Sequence, residues 1–142
     1  MTPNTMQHEF SLPVRVYVED TDAGGIVYYV NYLKFMERTR TELLRSLGYD
    51  KAGANRESFQ FVVHSAEIQY KKPAYLDDNL LITAEIIKIG AASVVFKQRV
   101  LRAEEVLCTA NVKIGCVSGQ TLKPMPIPKK MYQDLKLSSF RN

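Results

Sequence analysis

From residue 12 to residue 18, apolar and polar positions alternate. Leu12, Val14, Val16 and Val18 face one way, and Pro13, Arg15 and Tyr17 face the other, the period-two pattern of a half-buried strand. The period then changes. Tyr32, Met36, Thr39, Leu43 and Leu47 recur at steps of three and four, and Phe35 and Leu44 widen the stripe. Lys34, Arg38, Glu42 and Arg45 take the opposite face. This predicts an amphipathic helix over about 31–47, with Arg38 and Glu42 as an i,i+4 pair and Gly48 where helices commonly close.

Four more apolar stretches follow, at 59–70, 80–89, 92–101 and 106–116, with no second long helix between them. Val94, Phe96 and Val100 alternate with outward Lys97 and Arg99, while Val106, Cys108, Ala110, Val112, Ile114 and Cys116 share one face. Short links between such stretches imply hairpins and a largely antiparallel sheet. Pro124-Met125-Pro126-Ile127-Pro128 reads as a stiff connector, with Pro128 in the first turn of a short final helix. The simplest packing is an α+β fold, with about five antiparallel strands curled around one long helix. Val95, Leu101, Leu107 and Val117 on the less apolar faces point to contact with another subunit.

The 142 residues suit one domain, with residues 1–9 as a flexible tail. That tail has neither the basic nor the apolar region of a signal peptide, and no apolar run reaches the roughly 20 residues of a membrane span. Cys108 and Cys116 form no CxxC or Cys/His cluster, so two free thiols and a cytoplasmic location are expected. The net charge of +4 sits wholly beyond residue 122, where five bases meet one acid. These bases lack an aromatic platform and make no nucleic-acid surface. They are either a solvated helix face or an attraction for an anionic partner.

The densest chemistry lies between the first strand and the helix, in Asp20-Thr21-Asp22-Ala23-Gly24-Gly25 and the following Ile26-Val27-Tyr28-Tyr29-Val30-Asn31. A carboxylate beside the unpaired N–H groups of a helix start has the parts of a reaction centre. Two roles are open to Asp22: attack on a carbonyl or activation of water, and the capping of a turn. Asp20, two residues earlier, shares its face if the segment is extended. The Tyr29 N–H lies where a carbonyl oxygen could be polarised, and Asn31 is a candidate cap. His64, on the Val62, Ala66 and Ile68 face, is a packed residue or a base. No triad, phosphate loop, dinucleotide fingerprint or metal-ligand spacing is present.

Val14 through Tyr32 resembles the hotdog-fold acyl-CoA thioesterases of the 4-hydroxybenzoyl-CoA thioesterase type, and most of all the YbgC subfamily, encoded beside the Tol–Pal envelope system in many bacteria. Phe35 through Leu44, Phe61-Val62-Val63, Tyr70, Pro73-Ala74, Leu76-Asp77-Asp78 and Lys123-Pro124 extend the match. The resemblance implies a hotdog fold, a homodimer with active sites at its interface and further association to a tetramer. It implies Asp22 as nucleophile or general base and the Tyr29 N–H as the polarising group. Many YbgC-like chains carry histidine at the position of Tyr29, and the hydroxybenzoyl-CoA enzymes carry tyrosine, so the backbone amide is the common feature.

The substrate would be acyl-CoA, and no cofactor is implied. Gly25, Val27, Val62 and His64 would line the acyl group, with Phe61 and Phe96 adding apolar surface. The Gly90–Ser93 turn lacks the bases some relatives place near the nucleotide, which leaves Lys88 and Ser93, with Lys97 or the C-terminal bases, to meet coenzyme A. A second reading makes the domain an adaptor for acyl carrier protein or a phospholipid-synthesis enzyme, bound through the basic C-terminal segment.

Overall fold

The computed structural model describes residues 9–49 and 58–139. In chain order the elements are β1 (Glu9–Arg15), a 3-10 turn (Val18–Asp20), α1 (Val30–Ser46), β2 (Phe59–Tyr70), β3 (Asn79–Ile89), β4 (Ser93–Arg102), β5 (Glu105–Ser118) and α2 (Lys129–Ser139). The sheet runs β1-β3-β4-β5-β2, and every neighbouring pair is antiparallel. The expected α+β architecture is therefore present. Pro13 sits on edge strand β1, where a missing N–H is tolerated.

The stripe Tyr32, Phe35, Met36, Thr39, Leu43 and Leu44 is buried along α1, which packs against β3 and β1. The helix has 17 residues, about 25 Å of length. Gly48 adopts φ +98° just past its end, a backbone region open to glycine. Glu42 pairs with Arg45 at 3.2 Å rather than with Arg38, whose guanidinium lies over the Phe35 ring. Helix α2 also packs on β3, burying Met131 and Leu135. Tyr49 Oη donates to Asp134 at 2.6 Å and ties the chain just past the end of α1 to the middle of α2. Burial, and then that bond, push the Tyr49 phenol up to about 12. Two of the C-terminal bases have intramolecular partners: Lys130 meets Asp134 at 3.3 Å, and Lys136 lies over the Tyr132 ring.

Several expectations are corrected. The first strand ends at Arg15, not Val18. Val16 N–H still donates to Asp78 O, but Asp20 then accepts the Tyr17 N–H at 2.9 Å and Thr21 Oγ1 donates to Val18 O. These local bonds favour a 3-10 turn over the ladder, leaving Val18 73% exposed. Glu9, assigned to the tail, opens β1 and accepts from Arg99 Nη2 at 2.9 and 2.7 Å; residues 1–8 lie outside the described residues.

Bulges account for the misread faces, because one extra residue reverses the alternation beyond it. On β2, Val63 opposes Ile114 and Ser65 opposes Lys113, so His64 is the extra residue. Val63, Ala66, Ile68 and Tyr70 then share the face of Ile114, Val112, Ala110 and Cys108, while Val62 opposes Gly115 on the other face. On β5, the pairs Val100–Cys108 and Leu101–Val106 make Leu107 the extra residue. Leu107 is fully buried and Val117 nearly so, which removes both from any subunit contact.

Both cysteines are free and buried within the core, and burial pushes the Cys108 thiol up to about 12. A thiol-specific reagent at neutral pH should titrate neither cysteine in the native protein and both in denaturant. Rapid native labelling would contradict this packing.

Candidate active site

The loop after the 3-10 turn is closed by backbone bonds. Asp22 N–H donates to Ile26 O at 2.9 Å and Gly25 N–H to Asp22 O at 3.0 Å. Gly25 adopts φ +82°, which a side chain would strain. Asp22 Oδ1 accepts the Gly24 N–H at 2.8 Å. The turn-capping role is thus real, yet it occupies one oxygen. Oδ2 of Asp22 has no hydrogen-bond partner among the described residues. The side chain is exposed, and it lines a cleft of about 350 Å³ shared with Val27, Tyr29, Tyr32, Tyr70 and Pro73.

Asp20 plays a different part from the one its spacing offered. The 3-10 turn takes it off the face of Asp22, and its Oδ1 accepts from Asn31 Nδ2 at 2.9 Å. Asn31 is therefore not the cap. It lies inside α1, whose N-cap is Tyr29, with no side-chain cap bond. Tyr28 N–H donates to Asp20 O, Asn31 N–H to Tyr28 O and Tyr32 N–H to Tyr29 O. The amides of Tyr29 and Val30 have no acceptor among the described residues. They carry the positive end of the helix dipole at the start of a 17-residue helix.

Aromatic rings wall the cleft. The Tyr29 ring lies 5.2 Å from Tyr28 and 5.7 Å from Tyr70, and Tyr32 lies 5.6 Å from Tyr70, centroid to centroid. Tyr32 Oη accepts the Ala74 N–H at 3.0 Å. Burial raises the Tyr32 and Tyr70 phenols above the ordinary tyrosine value, so neither is a phenolate at neutral pH. The walls also include Lys71 and Lys72, and Lys72 Nζ is held by Glu105 at 2.7 Å.

Of the residues singled out in the sequence, the fold brings Asp22, Val27 and Tyr29 to this cleft, with Gly25 in the loop beneath. Val62 and His64 stand exposed on edge strand β2, and Lys88 and Ser93 flank the β3–β4 turn; none of the four lines it. Lys88 opposes Val95 on the face away from Phe96, because Ile87 is a bulge residue. Phe96 is wholly buried and offers no surface to a ligand. Sequence reasoning missed Tyr70, Lys71 and Pro73 as cleft walls. The end of an apolar strand facing the helix start was the signal available for Tyr70.

A family model described as "Thioesterase-like superfamily" matches residues 16–135. The acyl-CoA thioesterase YbgC of Haemophilus influenzae is 42% identical, the match covering 89% of this chain and 93% of that one. The acyl-CoA thioester hydrolase YbgC of an Escherichia coli strain is 43% identical over 89% and 96%. A crystal structure of a probable thioesterase from Bartonella henselae superposes with a TM-score of 0.79 at 36% identity, covering 84% of this chain and 99% of that one. Agreement at this level along nearly the whole of both chains means that the chain belongs to the thioesterase-like superfamily, beside the proteins named YbgC.

Proposed function

We propose that this protein hydrolyses acyl-CoA thioesters to a free acid and coenzyme A, with Asp22 as nucleophile or general base. One observation carries the reading: Asp22, whose Oδ2 has no hydrogen-bond partner among the described residues, lines the same cleft as Tyr29, whose N–H, with that of Val30, has no acceptor among them. The thioester oxygen lies at these amides, which are already oriented before negative charge develops on it. Asp22 Oδ2 either attacks the carbonyl carbon, giving an anhydride that water cleaves, or takes a proton from the attacking water. In both routes the C–S bond breaks and the sulfur leaves as thiolate, then gains a proton.

The family relatives support the substrate class through their names, and the tyrosine walls suit an apolar acyl group. The reading includes a second copy of the chain. Val62 and Val63 are 42% and 56% exposed on β2, whose outer edge pairs with no other strand among the described residues, and pairing of a second copy along that edge would cover them. Gly25 and Val27 set the cleft floor in this reading, and Lys88 and Ser93 are left to the coenzyme rather than to the acyl group.

The test is thiol release from acyl-CoAs of short to long chain and from acyl carrier protein thioesters. Turnover of at least one acyl-CoA is expected. Failure to cleave every thioester in the set would sink the assignment, and turnover confined to acyl carrier protein substrates would replace the carrier.

A further inference from the structure

We propose that Arg102, at the end of β4, is a positioning residue for the thioester cleft, acting through the irregular segment 72–78. The inference rests on the reading of Asp22 and the Tyr29 amide given above.

That segment is the back wall of the catalytic loop. Ala74 O accepts the Val27 N–H at 2.8 Å, and Ala74 N–H donates to Tyr32 Oη in the first turn of α1. Ile26 and Tyr75 form an isolated bridge, and Leu76 N–H donates to Gly25 O at 3.1 Å. Residues 74–76 therefore bond both to the Asp22 loop and to the helix start, and their placement bears on the distance between the two. These three residues belong to no helix or strand of their own.

Arg102 holds the segment from the side. Its Nη1 donates to Pro73 O at 3.1 Å and to Asp78 Oδ2 at 2.8 Å, and its Nη2 to Glu105 Oε1 at 2.9 Å. Asp78 Oδ2 also accepts the Tyr75 N–H, and Glu105 Oε2 holds Lys72 at 2.7 Å. The guanidinium lies 5.7 Å from the Tyr75 ring centroid. One planar group thus grips both ends of the segment, at Pro73 and Asp78, and reaches Lys72 through Glu105. A fork of fixed geometry is suited to this, and an ammonium is not. Thioester cleavage needs Asp22 and the amides in register, and small misplacements are costly in turnover.

The experiment compares wild type, Arg102→Ala and Arg102→Lys by steady-state kinetics on one good acyl-CoA and by amide hydrogen exchange. Arg102→Ala should lower kcat about tenfold while KM stays within about twofold. The Val27 and Leu76 amides, which donate to Ala74 O and Gly25 O, should exchange about ten times faster, with β3–β5 unchanged. Arg102→Lys, which keeps the charge but not the fork, should fall between. Unchanged kcat, or a uniform rise in exchange across the sheet, would overturn the proposal in favour of an ordinary surface ion pair or a general stability role. If wild type cleaves no thioester, the functional reading fails, and the exchange measurement still decides whether Arg102 holds the segment.

Discussion

Asp22→Asn should lower kcat on a good acyl-CoA by about 100-fold or more, with the fold intact. The substitution separates the two jobs of this side chain. The carboxamide oxygen still accepts the Gly24 N–H that Oδ1 accepts at 2.8 Å, so the loop keeps its shape. What is lost is the free oxygen, since a carboxamide neither attacks a thioester nor takes a proton from water at neutral pH. Asp22→Ala removes the turn bond as well and should give the same loss of turnover together with a lower melting temperature. The measurement is kcat beside thermal unfolding for both variants. Near-normal turnover by Asp22→Asn would refute the role given to Asp22, whatever the loop did.

The second large effect concerns stability, at a place remote from the chemistry. Gln98 is fully buried on β4 between Phe96 and Val100. Its Oε1 accepts from Arg40 Nη1 at 2.8 Å, and its Nε2 donates to Met36 O at 3.1 Å and Thr83 O at 3.2 Å. Arg40 is 8% exposed, and burial lowers its pKa. Gln98→Ala would strand a buried guanidinium and remove a packed side chain, at a cost of about 3 kcal/mol. For a chain of this size that is a fall in Tm of about 10 °C. The double variant Arg40→Met with Gln98→Leu should recover much of it, because apolar groups of similar volume need no partner. A Gln98→Ala protein melting within 2–3 °C of wild type, by the scale just used, would show that water or the chain already satisfies Arg40.

These two residues also mark the limits of what the sequence made legible. Helix α1 was readable to within a residue because its apolar stripe is dense and Gly48 closes it. The Asp22 loop was readable because two glycines follow an acid before a helix start. Gln98 stood at an inward position in an alternating strand, yet polarity alone did not reveal that Arg40, 58 residues earlier, would be its partner. The faces of β2 were misread because no residue in Val63-His64-Ser65 announces a bulge; the extra residue is visible only against Lys113 and Ile114. Tyr70 and Pro73 escaped notice as cleft walls because their role arises from the return of segment 72–78 to the loop at 25–27, a contact without a local sequence pattern.

The strand order β1-β3-β4-β5-β2 has a consequence for biogenesis. Only β3, β4 and β5 are neighbours both along the chain and in space, so this meander closes with short loops and low entropic cost. The two outer strands are translated earlier. β1 waits for residues 79–85, and β2 waits for β5, which ends at Ser118. A nascent chain therefore carries Asp22 and the start of α1 out of the ribosome before the sheet that frames them is complete. On the reading of Asp22 proposed above, the site is framed only once the last strand captures the second.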